Sequence, residues 1–287
     1  MDDPARRRTL TPTPGRADPT DPLIPDGLDA TLVLVRHGES TLIAEGRFQG
    51  QADSPLTAIG RQQAELVAAR LAAPHDPPAL PIPIGPLVEV VHSPLGRTTE
   101  TAEAIAAALT SADRSCTRRA DAGFLEMDQG AWQGLRRTEI AARYGVELAA
   151  WRRTPLQAWA PGGESVPAVA ARVRPALAAV LAPLAAGRGR GTDDRPQVAG
   201  YGDRPPAGPW SIVVGHDGVF KIVLLALFEL PLERFWMWSM DLCGISVVEF
   251  RAGRPVLRAH NLTAHLAALD DAHAITTLDG RTADGAL

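Results

Sequence analysis

Residues 32–40 read LVLVRHGES. Leu32 to Val35 form a short aliphatic run that reads as a strand buried on both faces. Such a strand ends abruptly in Arg36 and His37, so it carries two polar side chains to the rim of a sheet. Gly38 then lets the backbone turn sharply or approach a neighbour closely. In open α/β sheets the rim at the carboxyl ends of the strands is where ligands bind. An isolated Arg-His pair at a strand end is ordinarily just a solvated pair. The rest of the chain decides whether this one is isolated.

The remaining pattern alternates strand-like and helix-like stretches. Thr57 opens a helix with Ile59, Leu66, Val67 and Leu71 on one face, and Pro74 ends it. LVEVVHS at 87–93 alternates like a strand, and GRTTETAEAIAAALT reads as a helix entered near Pro94. A Gly-containing irregular loop is expected over 119–137, then helices at about 138–152 and 165–185. WSIVVGHDG repeats the opening logic, with a buried strand ending in Gly215, His216, Asp217 and Gly218 and a helix after it. ISVVEF and PVLRAHN supply two more strand-like runs. The expected fold is α/β, one three-layer α/β/α domain over 30–269 with a mostly parallel mixed sheet. Residues 1–29 read as a disordered arm, 187–209 as a flexible insertion, and 270–287 as a loose tail.

Composition narrows the function classes. The chain has 287 residues, 45% hydrophobic and 22% charged, with a net charge of −4. That balance gives no reason to expect nucleic acid or an anionic membrane. No apolar run approaches the length that spans a bilayer. The N-terminus has no apolar stretch of signal-peptide type, so the cytoplasm is the expected location. Cys116 and Cys243 are far apart and fit neither a disulfide framework nor a zinc site. His92, His260 and His265 share no metal-ligand spacing, so no cofactor or metal is expected. A homodimer stays open.

Three strands end in polar residues: Arg36-His37, His92-Ser93 followed by Arg97, and His216. A loop adds Glu126. If the strands are neighbours, two arginines, two histidines and a carboxylate meet in one pocket. Guanidinium forks suit a tetrahedral oxyanion such as phosphate. A neutral imidazole can attack phosphorus, and a carboxylic acid can protonate the departing alkoxide and later take a proton from water.

These motifs have a known order. LVLVRHGES, GRFQGQADSPLTAIGRQQA, HSPLGRTTETA, FLEMDQGAWQG, PGGES and IVVGHDGV resemble, in sequence, the histidine phosphatase superfamily, which includes the cofactor-dependent phosphoglycerate mutases. The resemblance runs from about residue 31 to 266. It implies His37 as nucleophile, Arg36 and Arg97 as phosphate clamp, His216 as a further phosphate ligand, and Glu126 as general acid and base. It implies a small phosphomonoester as substrate and a reaction that needs no metal. Two positions depart from the family. Ile43 stands where an Asn usually contacts the phosphate, and Gly215 stands where Ser often precedes the second histidine. Gly38, Ser40, Thr41 and Gln49 are the nearby groups that can replace the missing donor.

The bland alternatives are weaker. Ser165 in GGESVP falls short of a nucleophile elbow because Pro167 holds the last glycine position. Trp151, Trp159, Trp236 and Trp238 read as core or pocket wall. The mutases resemble this chain at WRR, 151–153, whose arginines suit a substrate carboxylate. They carry a long insertion after it, whereas here a short stretch separates Arg153 from Gly163. A missing cap opens the pocket to water and favours hydrolysis over phosphoryl transfer to a second hydroxyl. A non-catalytic phospholigand-binding protein would fit Ile43, but the nucleophile, clamp and acid are all present.

Overall fold

The alternation of Leu and Val in the first strand sorts the whole molecule into layers. In the computed structural model, which describes residues 22–186, 208–267 and 269, β1 (Ala30–Arg36) is buried at every position. Leu32 and Leu34 project into one hydrophobic cluster, and Val33 and Val35 into another on the opposite face. The sheet also contains β2 (Leu87–His92), β3 (Thr117–Ala120), β4 (Trp210–Gly215), β5 (Ile245–Arg251) and β6 (Arg254–Leu262). Their order is β3-β2-β4-β1-β5-β6. The first four are mutually parallel, β5 is antiparallel to β1, and β6 is antiparallel to β5.

A short helix α1 (Thr41–Ala44) follows β1. Helices α2 (Ala58–Ala72) and α3 (Gly96–Ser111) cover the Val33 face, contributing Val67, Leu71, Ile105 and Leu109. The Leu32 face is covered by α5 (Val166–Ala186) and α6 (Asp217–Leu227), with part of α4 (Arg137–Arg153). Tyr144 breaks the helical dihedrals inside α4. This is the expected three-layer α/β/α arrangement with a mixed sheet.

Several expectations need correcting. Leu23 and Leu28 are buried in the core, so the ordered chain begins before residue 30; residues 1–21 lie outside the described residues. The expected insertion at 187–209 is outside them too, apart from Gly208 and Pro209, whose carbonyl accepts from Thr31 N. The tail from 270 is likewise outside. Edge strand β3, TRRA, was not expected, because its side chains are mostly exposed and carry no apolar pattern. The run 166–186 is by length and composition apolar enough to cross a membrane, contrary to the expectation. In the fold, Val169, Val173, Leu177, Val180 and Leu184 bury one face of it in the core.

The face of α2 is also rotated from the one expected. Ile59 and Leu66 are only half-buried, whereas Gly60, Gln63 and Ala64 turn inward. The cause is a backbone contact at the start of the helix. A Cβ on Gly60 would lie 1.9 Å from the Glu39 carbonyl oxygen, and one on Gly38 would lie 2.4 Å from that of Gly60. Gln63 is buried because its Oε1 accepts from Glu39 N (2.8 Å). Two glycines thus let α2 sit directly on the loop that carries His37.

In an open helix, Gly→Ala gains about 1 kcal/mol. Gly145, with nothing near its would-be Cβ but directly after the non-helical Tyr144, should show part of that gain. Gly60→Ala should reverse the sign and cost about 1–3 kcal/mol through overpacking. Urea unfolding of the two variants provides the comparison, and equal gains would show that the loop yields freely.

Candidate functional site

The central parallel strands deliver their ends to one place. His37 N donates to Gly215 O (3.0 Å), and Ser93 N donates to Val214 O (3.1 Å). Residues following β1, β2 and β4 therefore emerge side by side at the carboxyl rim. Arg36, His37, Arg97, Glu126 and His216 are each at most 5% exposed. The His37 and His216 rings meet edge to face with centroids 5.2 Å apart.

The local hydrogen bonds set the state of each ring. His37 Nδ1 is 2.6 Å from Gly38 O, which can only accept. The proton therefore sits on Nδ1, and Nε2 holds the lone pair. His216 Nε2 is 2.9 Å from the Ser93 hydroxyl. Leu95 N approaches that hydroxyl oxygen at 3.5 Å, so the Ser93 proton is directed to His216. Burial first, and then the positive charge of the nearby arginines, Arg97 foremost, hold the His216 pKa well below the usual imidazole value. His216 is thus neutral, with its proton on Nδ1.

The arginines are fixed from behind. Arg36 Nη1 donates to Met240 O (2.6 Å), and Arg97 donates to Ala52 O (3.1 Å) and Gly50 O (2.7 Å). Burial draws the Arg97 pKa down to about 10, with Glu126 opposing, so it stays protonated at neutral pH. The Nε atoms of Arg36 and Arg97 and the Nδ1 of His216 are buried without a hydrogen-bond partner. Buried donors of this kind require an acceptor. Three of them beside His37 describe the seat of an anion.

Glu126 completes the site from the loop between β3 and α4. Its Oε1 accepts from Met127 N (2.8 Å) and its Oε2 from Gly218 N (3.3 Å) at the start of α6. Burial raises its pKa above the ordinary carboxylate value, and Asp217 adds to the rise; the Met127 N–H and both arginines oppose it. A carboxyl whose acid form is favoured by burial, beside an anion seat, can act as a proton donor.

Other sequence candidates take different places. Gly38 was expected to offer its amide to substrate. Instead Gly38 N donates to Thr101 Oγ1 (3.2 Å), and the carbonyl of Gly38 orients His37. Ser40 donates to Gln49 Oε1 (2.5 Å), which leaves the amide NH2 as the donor side of Gln49. Thr41 pairs with Ser54. Ile43 is half-buried on α1. Gly215 has a local reason: a Cβ there would lie 2.8 Å from the Phe220 ring.

Some supporting residues were not singled out from the sequence. Asp217 accepts from Lys221 Nζ (2.6 Å) and from Met240 N (2.7 Å), so it grips the same peptide segment whose carbonyl holds Arg36. The i,i+4 spacing of Asp217 and Lys221 at the start of α6 was the available signal. Ser93 was visible at a strand end but had no assigned role. Among the described residues no group of His, Cys, Asp or Glu could hold a metal ion.

Known proteins similar to this chain share one family. The family model described as "Histidine phosphatase superfamily (branch 1)" matches residues 32–188 and 200–263. Phosphoserine phosphatase 1 of Hydrogenobacter thermophilus is 29% identical over 82% of this chain and 93% of its own. Probable phosphoglycerate mutase GpmB of Salmonella paratyphi B is 38% identical over 76% of this chain and 84% of its own. A solved mycobacterial glucosyl-3-phosphoglycerate phosphatase, complexed with VO3, is 27% identical with a TM-score of 0.62, covering 81% of this chain and 99% of that one.

Orthophosphate should raise the melting temperature, because a ligand that binds only the folded state adds about 2.7 kcal/mol at a hundred times its Kd. Arg97→Met should remove most of this phosphate-dependent increment, whatever it does to the ligand-free melt. An unchanged increment would place the anion elsewhere.

Proposed function

The chain belongs to the histidine phosphatase superfamily, and from that premise we propose that it hydrolyses a small phosphomonoester through a phosphohistidine on His37. The observation that carries this reading is the set of buried donors without partners, Arg36 Nε, Arg97 Nε and His216 Nδ1, gathered beside a histidine whose Nε2 lone pair is fixed.

In the first step the Nε2 lone pair of His37 attacks phosphorus. The P–N bond forms as the ester P–O bond breaks, and the leaving oxygen takes the Glu126 proton. Arg36, Arg97 and the Nδ1–H of His216 bind the equatorial oxygens, where charge is greatest in the transition state. In the second step the Glu126 carboxylate accepts a proton from water as that water attacks phosphorus. The P–N bond breaks, and the imidazole and the carboxylic acid are restored. The guanidinium charges fill the electrostatic role a metal ion would otherwise take, so we assign a metal-independent reaction.

The second reading, a cofactor-dependent mutase, shares the first half-reaction and is favoured by the likeness to the probable phosphoglycerate mutase. Against it, residues 154–165 join α4 directly to α5 with no inserted cap. In the WRR stretch Trp151 is packed into the core, Arg152 is half-buried, and Arg153 is exposed at the end of α4. The relatives named as phosphatases favour water as acceptor. The substrate is accordingly a phosphorylated metabolite whose leaving group is an alcohol.

Quenching a turnover mixture at alkaline pH should trap up to one phosphate per chain on His37, and His37→Ala should abolish both label and activity. Label on a serine, an aspartate or another histidine would refute the assignment.

Because Glu126 must be protonated in the first step, kcat/KM should fall as pH rises through its raised pKa, later than for an exposed carboxylate. Glu126→Gln should remove that limb and cost about a hundredfold to ten-thousandfold with an alkyl phosphate. Nitrophenyl phosphate, whose leaving group needs little protonation, should lose far less. Equal losses would make Glu126 structural.

A further inference from the structure

The PGGES motif has no part in the chemistry above, yet its glutamate anchors the most saturated polar cluster near the site. Arg172, on α5, uses its whole guanidinium. Nε donates to Glu164 Oε1 (2.9 Å), and Nη2 donates to Glu164 Oε2 (2.7 Å). Nη1 donates to the carbonyls of Gly123 (2.9 Å) and Leu125 (2.7 Å), and Nη2 also donates to that of Glu126 (3.0 Å). Three carbonyls of one irregular loop thus converge on a single planar cation whose charge Glu164 balances.

Gln51 extends the cluster. Its Nε2 donates to Glu126 O (2.9 Å) and Glu164 Oε2 (3.2 Å). Glu164 Oε2 also accepts from Asp128 N (3.0 Å), two residues past the acid. The neighbours of Gln51 hold the other side of the reaction, because the carbonyls of Gly50 and Ala52 receive Arg97. Gln133 Oε1 locks this segment by accepting from Gln51 N (2.6 Å) and Ala52 N (2.9 Å). The loop packs tightly on α5 as well, since a Cβ on Gly123 would lie 2.3 Å from that of Ala176.

We propose that Arg172 and Glu164 are positioning residues for the general acid, fixing the Glu126 backbone and, through Gln51, its placement relative to Arg97. The proposal rests on the reading of Glu126 as the proton donor. Beyond Asp121, whose N–H meets the carbonyl of His92 in β2 (2.8 Å), the segment to Gln129 pairs with no strand among the described residues, so the guanidinium fork stands in for one. An ammonium cannot reproduce the function, because its three donors do not lie in a plane and cannot reach three carbonyls and a carboxylate together. A misplacement of about 1 Å at a reacting group costs on the order of a hundredfold in rate.

The test compares wild type with Arg172→Lys and Gln51→Leu on an alkyl phosphate and on nitrophenyl phosphate. Both variants should lose about tenfold to a hundredfold in kcat/KM on the alkyl phosphate. On nitrophenyl phosphate the loss should be no more than about threefold, because that leaving group needs little acid. Carbon-13 NMR of glutamate-labelled protein, with the Glu126 resonance assigned from Glu126→Gln, supplies a readout independent of turnover. The Glu126 midpoint should drop toward the ordinary carboxylate value in both variants as water reaches the loosened loop. Equal losses on the two substrates with an unmoved midpoint would overturn the proposal and leave Arg172 a stabilising residue only. If Arg172→Lys does not fold, Gln51→Leu decides by the same criteria. If wild type hydrolyses no phosphomonoester, the hydrolase reading fails, while the titration still decides whether the cluster positions Glu126.

Discussion

Two guanidinium groups are buried within reach of each other's charge, and that arrangement dictates much of what surrounds them. A buried cation is costly unless its donors are met, and here each guanidinium is met only in part, its Nε having no partner. Arg36 is met by Met240 and Arg97 by Gly50 and Ala52, all through backbone carbonyls rather than carboxylates. Carbonyls satisfy hydrogen bonds without cancelling the positive field. The field therefore stays available for an incoming anion, and it adds to the burial that keeps His216 neutral. Glu126, a carboxylate placed to neutralise it, is itself pushed toward its acid form by burial. The pocket is electropositive by construction in a chain whose net charge is −4.

The sheet explains how distant segments come to share that pocket. His37, Ser93 and His216 follow three strands that lie side by side, and parallel pairing sends all three ends to the same rim. The phosphatase and mutase readings use the same constellation there. What separates them is the reach of a second hydroxyl, which depends on the covering elements. In this chain those elements are compact: the end of α4 tucks Trp151 against Phe235 and Trp236, and α5 begins soon afterwards.

Buried strands and strand-end residues were legible in the sequence because each is a local signal. The Leu-Val runs, the polar residues that close them and the helix started by Thr57 need no knowledge of the fold. Side-chain direction and support were not legible. Gly38 looked like a bare amide for the ligand, but its N–H meets Thr101, which lies far along the chain on α3. The inward face of α2 was misread because a glycine contact, rather than apolar spacing, sets it. Edge strand β3 owes its conformation to pairing with β2 and has no pattern of its own. Arg172 carries no local signal, since the carbonyls it gathers belong to a loop 46 to 49 residues earlier.

The contact between Gly215 and the Phe220 ring has a consequence for how this sequence can vary. A side chain at 215 and the benzyl group at 220 compete for one volume immediately behind His216. A serine at 215 needs either a smaller residue at 220 or a displaced Phe220 ring. The two sites are coupled: the serine introduced alone crowds the ring, and Phe220 shortened alone leaves a cavity, whereas the pair exchanged together avoids both. The unusual residue before the second histidine thus records a choice already made one helical turn further on.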